Sequence, residues 1–156
     1  MLWYGKNICI FIFNLRAYLK SEKKETGYII LDRILYTATH YPANYGLIPR
    51  TLCDDGDHLD VLVLSSHAIM TNALVRCHPI GMISMVDQSK SDEKIIAVPV
   101  NDPAYKDFND ISEMPEHIFE EMKHFFQVYK NLEGKITSVD EISGAQKAKE
   151  TIAKCL

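Results

Sequence analysis

From residue 27 to about residue 100, short runs of β-branched and aliphatic side chains alternate with turn residues. Residues 28–31, 61–64, 73–77, 80–86 and 94–100 are the strand candidates. Short strands at such close spacing suggest a small barrel or sandwich rather than a parallel sheet. The period then changes. After Pro115, the residues Ile118, Met122, Phe125, Phe126 and Tyr129 recur at helical spacing, and Gly134 can end the segment. This pattern predicts an amphipathic helix whose aromatic stripe packs on the barrel. A second, shorter helix is expected after Ser143, with Ser143 and Gln146 as a capping box. Ala145, Ala148, Ile152 and Cys155 would form its apolar face. The predicted class is α+β, mainly β: a β-barrel with two flanking helices.

Composition narrows the picture only slightly. A chain of 156 residues, 47% hydrophobic and 24% charged, suits one domain (1–156) with one core. The formal charge of -4 argues against a general nucleic-acid binder, which would carry a basic patch. It leaves an anionic substrate open, because bound cations can reverse the local field. Cys9, Cys53, Cys77 and Cys155 are scattered, without C-x-x-C or zinc-finger spacing, and are read as free thiols in a reducing compartment. The apolar run at 8–13 is far short of the roughly 18 residues that span a bilayer. Lys6 precedes it, but no small-residue cleavage site follows, so the expected location is cytoplasmic and no membrane partner is expected.

Candidate chemistry concentrates in Asp54, Asp55, Asp57 and Asp60, just before a buried strand. Carboxylates this close are costly unless they are solvated, protonated or neutralised by a cation. Magnesium prefers oxygen ligands and binds through a few carboxylates plus substrate phosphate oxygens. Gly56 would permit the turn that brings Asp55 and Asp57 together. Judged on this segment alone, a solvent-exposed Asp-Gly turn is the better reading. An EF-hand does not fit, because the sixth position counted from Asp55 is Asp60 rather than Gly. A D-x-D glycosyltransferase site would need nucleotide-sugar binding, which no motif here supports. Other groups tip the balance: Asp87, Asp92 and Lys94 between strand candidates, Asp32-Arg33 and the run 40–46 upstream, and Tyr129-Lys130 at the helix end. Carboxylates for metals, cations for phosphate oxygens and phenolic donors are the inventory of metal-assisted phosphoryl transfer.

The run from Asp55 to Val63, D-G-D-H-L-D-V-L-V, resembles the D-G-D-P-x-D-V-L-V signature of the soluble family I inorganic pyrophosphatases, with His58 in place of Pro. Leu31-Asp32-Arg33, Tyr41-Pro42-Ala43-Asn44-Tyr45-Gly46, Arg76 to Gly81, Asp87 through Pro99, and His124-Phe125-Phe126 with Tyr129-Lys130 also fit, in the family's order. The resemblance runs from about Glu25 to the C-terminus.

That resemblance implies a five-stranded OB-like barrel, several Mg²⁺ ions and hydrolysis of pyrophosphate to two orthophosphates. It implies Asp55, Asp60, Asp87 and Asp92 as metal ligands, with Asp57 orienting or deprotonating the attacking water. It implies Arg33, Tyr45, Lys94, Tyr129 and Lys130 as holders of phosphate oxygens, with Tyr41 supporting the pocket. A homohexamer follows by analogy with short members of the family. All six histidines are read as structural or surface residues. Asp102, Asp107 and Asp110 are read as solvated or helix-proximal carboxylates, a reservoir for an extra metal.

Residues 1–24 are atypical. Counted back from Gly27 without gaps, the family's early Glu falls on Ile10, and the outer residues of its Lys-Tyr-Glu fall on Leu19 and Ser21. Gln88 stands where an acidic residue commonly follows the equivalent of Asp87. The alternative reading is therefore an impaired relative that binds metal and phosphate, or an assembly subunit. Residues 8–13 would still supply a barrel strand.

Overall fold

The computed structural model of the protein describes residues 3–4, 7–13, 17–20, 30–53 and 56–156. Among them are nine strands: β1 (Trp3–Tyr4), β2 (Asn7–Phe13), β3 (Ala17–Lys20), β4 (Ile30–Ile34), β5 (Asn44–Leu47), β6 (Asp60–Val63), β7 (Leu74–Asp87), β8 (Lys90–Pro99) and β9 (Thr137–Gly144). Two α-helices follow the barrel strands, α1 (Glu116–Val128) and α2 (Ala145–Cys155), the second after β9. Strand β2 pairs with β5 through residues 11–13 and with β7 through residues 8–11. Because β5 pairs β6, β6 pairs β8 and β8 pairs β7, these five strands close into a ring. Only the β6–β8 pair in that ring is parallel. The expected five-stranded OB-like barrel with two helices is the observed fold. β1 and β9 extend its edges, and β3 and β4 form a separate two-stranded ribbon.

Alternation along the strands separates two apolar layers. Val61 and Val63 of β6, Ile95 and Ala97 of β8, and Ile8, Ile10 and Ile12 of β2 share one layer with Ala148 and Ile152 of α2. Leu62, Ile96, Ile83 and Met85 face the other way, onto Phe119, Met122, Phe125 and Phe126 of α1. Full burial of each such α1 side chain is worth about 1.5–3 kcal/mol, so helix docking rests mainly on that stripe. Thr137 Oγ1 donates to the Phe126 carbonyl at 2.6 Å, tying β9 to the last turn of α1.

Several expected boundaries are corrected. The candidates at 73–77 and 80–86 are one strand, β7, whose pairing with β8 shifts register between Pro79 and Gly81. A Cβ on Gly81 would lie 2.4 Å from Ile111 Cγ2 and 2.8 Å from the Ser143 carbonyl oxygen, so glycine allows close passage there. Asp87 and Asp92 lie on strands rather than in a loop, because β7 and β8 join through Gln88 and Ser89 alone, at φ 49 and 70. Helix α1 ends at Val128, and Gly134, at φ 69, caps a separate 3₁₀ turn, Asn131–Glu133. The Ser143–Gln146 capping box is not formed, since Ser143 belongs to β9 and the N-cap of α2 is Gly144. Asp110 Oδ2 accepts the Ala145 amide instead, at 2.7 Å.

Candidate active site

Three strands and the end of α1 bring the acidic and basic groups together on the α1 side of the sheet. Asp60 and Lys94 are register partners across β6 and β8, and Asp92 lies two residues before Lys94, on the same face. Lys94 Nζ donates to Asp60 Oδ2 at 2.9 Å and to both oxygens of Asp92 at 2.9 and 3.0 Å. The Tyr45 hydroxyl donates to Asp60 Oδ2 and lies 3.4 Å from Lys94 Nζ. Lys130, which follows Tyr129 at the end of α1, donates to Asp87 Oδ2. Lys94 is 2% exposed and Lys130 5%, so both ammonium groups depend on these carboxylates rather than on water.

Aromatic faces complete the pocket wall. Lys94 Nζ sits 5.5 Å from the centre of the Phe126 ring, and Lys130 Nζ sits 5.1 Å from that of Tyr129. Tyr41 is buried, its ring centroid 4.5 Å from Tyr45 and 4.8 Å from Phe125. Tyr129 packs on Phe125 at 5.2 Å and on Phe126 at 5.5 Å. Tyr41 thus backs Tyr45, and Tyr129 continues the helix stripe while its neighbour Lys130 reaches the acids.

Burial pushes the Asp92 carboxyl above its ordinary range; Lys94 pulls it back, and the charges of Asp60 and Asp87 raise it again. Asp92 therefore feels both of the other carboxylates. Among the described residues no three acidic, imidazole or thiol groups converge at coordination distance. Lys94 and Lys130 instead bond to oxygens of Asp60, Asp87 and Asp92. Asp87 Oδ1 is buried with no hydrogen-bond partner among the described residues.

The remaining predicted residues are placed unevenly. Asp57 is exposed on the loop before β6, where its carbonyl accepts the Cys53 amide at 2.9 Å. Asp55 lies outside the described residues. Arg33 lies on β4 opposite Tyr18, and its side chain is outside what is described. His58 has a structural contact, its Nδ1–H donating to the Thr51 carbonyl at 2.6 Å. Ile10, where the ungapped count puts the family's early Glu, is fully buried in the layer opposite the acidic cluster. Leu19 lies on β3, its side chain not described, and Ser21 lies outside the described residues.

Two loop aspartates prove to be structural. Asp102 is buried rather than solvated. Its oxygens accept from Ser65 Oγ, the Ser66 amide and hydroxyl, and the Ala104 amide, and this bonding lowers its carboxyl to about 2. Asp110 is committed to the amides of Ser112 and Ala145. Sequence reasoning also missed Asn44, whose buried amide bridges the Val63 and His67 carbonyls and the Ile69 amide. Its place inside the Tyr41–Gly46 run was the available signal.

A family model described as inorganic pyrophosphatase matches residues 17–156. The chain belongs to the inorganic pyrophosphatase family. It is 47% identical over 133 residues to soluble inorganic pyrophosphatase 2 of Chlamydomonas reinhardtii, covering 85% of this chain and 69% of the relative. It is 49% identical over 134 residues to the inorganic pyrophosphatase of Aquifex pyrophilus, covering 84% and 76%. The fold is similar to the crystal structure of the Thermus thermophilus inorganic pyrophosphatase, with TM-score 0.90 and 33% identity over 97% of this chain and 90% of that one. The Helicobacter pylori inorganic pyrophosphatase is similar at TM-score 0.90 and 36% identity, covering 96% and 91%. The family match begins eight residues before Glu25, where the sequence motifs begin, and thus takes in β3.

Proposed function

We infer that this chain hydrolyses pyrophosphate to two orthophosphates. The observation that carries the reading is the convergence of Asp60, Asp87 and Asp92 with two buried lysines on one face. An anionic substrate with a hard divalent cation suits this mixture, and the donor set is all oxygen. The orphaned Asp87 Oδ1 fits a cation, because a buried carboxylate oxygen without a donor is costly. Asp55, Asp60, Asp87 and Asp92 would hold Mg²⁺. When bound, Mg²⁺ supplies positive charge to the phosphate oxygens and makes water more acidic.

In the proposed step, Asp57 orients the attacking water and takes its proton as the water oxygen bonds to phosphorus. The bond to the bridging oxygen breaks, and its electron pair leaves with the second phosphate. Lys94 and Lys130 meet the phosphate oxygens as point charges, whereas Arg33 can grip them through paired donors. Tyr45 and Tyr129 add phenolic donors, and Tyr41 keeps Tyr45 in place. We assign residues 1–156 to a single domain, a cytoplasmic location and, by family analogy, a homohexamer. Among the described residues no helix is long and apolar enough to cross a membrane.

Orthophosphate release from pyrophosphate, with and without Mg²⁺, tests the reading. Asp57→Asn should lower kcat at least about 100-fold, the worth of a general base. Equal rates in both proteins would remove Asp57 from the mechanism. Phosphate and metal binding without wild-type turnover would favour the impaired relative, which is otherwise the less favoured reading given relatives near 47% identity.

A further inference from the structure

The foot of the acidic loop touches the last turn of α2, and sulfur lies on both sides of that contact. Cys53 Sγ and Cys155 Sγ are 2.9 Å apart, although 102 positions separate them in the chain. Neither cysteine is in a disulfide. One bond to the backbone reinforces the contact, with the Leu52 amide donating to the Cys155 carbonyl at 2.7 Å. On the loop side, the Cys53 amide donates to the Asp57 carbonyl and the Cys53 carbonyl accepts the Gly56 amide, each at 2.9 Å. Cys53 is thus the stem of the turn that leads to β6. On the helix side, Ala148 and Ile152 are fully buried against the barrel, so Cys155 stands on an anchored element.

We propose that Cys53 and Cys155 form a reversible intramolecular disulfide that ties the stem of the acidic loop to the C-terminal helix. The sulfurs need to close by only about 0.9 Å to reach the covalent length of about 2.05 Å. Cys53 is partly buried and Cys155 almost wholly buried, so Cys53 is the first of the pair to meet a small disulfide reagent. The chemistry balances with a low-molecular-weight disulfide such as oxidised glutathione as the oxidant. The Cys53 sulfur loses its proton to water and attacks the reagent, forming a mixed disulfide and releasing one glutathione. Cys155 then loses its proton and attacks the Cys53 sulfur, releasing the second glutathione. Two protein thiols are oxidised, and one glutathione disulfide is reduced to two glutathione molecules.

The other two cysteines do not compete. Cys77 is opposite Ile8 in the β2–β7 register and shares its buried layer, so strand alternation turns Cys9 to the opposite face. Burial, with Cys9 nearby, also pushes the Cys77 thiol far up, which leaves it unreactive.

The test uses the full chain incubated with oxidised glutathione and needs no activity measurement. Titratable thiols should fall from four to two per chain, and non-reducing peptide mapping should join Cys53 to Cys155. A cross-link closing so long a loop should raise Tm on the order of 5–10 °C, reversed by dithiothreitol. Cys155→Ser should abolish the cross-link and the rise and leave a glutathione adduct on Cys53; Cys9→Ser should leave both intact. Four retained thiols, an unresolved adduct on wild-type Cys53, a bridge between other cysteines or between chains, or a cross-link with no rise in Tm would each overturn the proposal.

Discussion

Lys94 is 2% exposed and shared by Asp60 and Asp92, while Asp87 answers to Lys130, so two ammonium groups face three carboxylates. Replacing Lys94 by Met keeps an unbranched apolar side chain in this buried position but removes the charge that lies near the Phe126 and Tyr45 rings. The carboxylates keep part of their solvent contact, so the cost should be about 1–3 kcal/mol, below the full penalty for a broken buried pair. The same change removes a cation that competes with a metal for Asp60 and Asp92. The rise in Tm caused by Mg²⁺ should therefore be larger in Lys94→Met than in wild type, while kcat falls. Thermal melts with and without Mg²⁺ check this; a smaller Mg²⁺ response would show that Lys94 assists metal binding rather than competing with it. At this scale the residue types were legible in the sequence, but the pairing was not. Asp60 and Lys94 are 34 positions apart and meet only because β6 and β8 lie side by side.

At the scale of elements, α2 shows how a local rule yields to a long-range one. Ser143 and Gln146 have capping-box spacing, yet β9 holds Ser143 in extended pairing with Met82, and the helix starts two residues later. Asp110 takes over the cap from 35 positions away, and a Cβ on Gly144 would lie 2.6 Å from its Oδ2. Asp110→Ala should cost about 1 kcal/mol, the usual worth of an N-terminal cap, and Asp110→Asn less because one oxygen remains to accept. The bonds from Ala145 and Ser112 hold the Asp110 carboxyl below its ordinary range. Its contribution is therefore complete above the unfolded carboxylate pKa of about 4 and is lost as pH falls through the lower folded value. Urea midpoints from pH 6 downward should show wild type losing its advantage over Asp110→Ala in acid; a constant difference would remove the charge from the argument. The β7–β8 turn was misread for a related reason. Gln88 and Ser89 both adopt positive φ, a conformation that Asn-Gly would have announced and these residues do not.

For the whole molecule, the atypical N-terminal segment is what closes the barrel. β2 bridges β5 and β7, and Ile8, Ile10 and Ile12 are all at most 1% exposed. Ile10→Ala should cost about 2–5 kcal/mol, typical of a cavity in a closed core. The denaturation midpoint measures it; a loss below about 1 kcal/mol would mean that the barrel does not depend on β2 packing. The segment that departs most from the family's motifs thus retains the apolar alternation a strand needs, because burial asks for volume and polarity rather than for particular functional groups. Closure also sets the geometry of the site, since the strands carrying Asp60, Asp87, Asp92 and Lys94 are all members of the ring.

The sequence by itself determined the mainly-β class, the aromatic stripe of α1, the order of the acidic and basic motifs and the strand at 8–13, because periodicity and side-chain chemistry are local properties. It did not determine that 73–77 and 80–86 form one strand, that Asp102 is bonded by Ser65, Ser66 and Ala104, that Asp110 caps a distant helix, or that Cys53 meets Cys155. Each of those depends on which strands become neighbours. Only the closed tertiary structure fixes that, because pairing across tens of residues is decided by the burial of two layers at once.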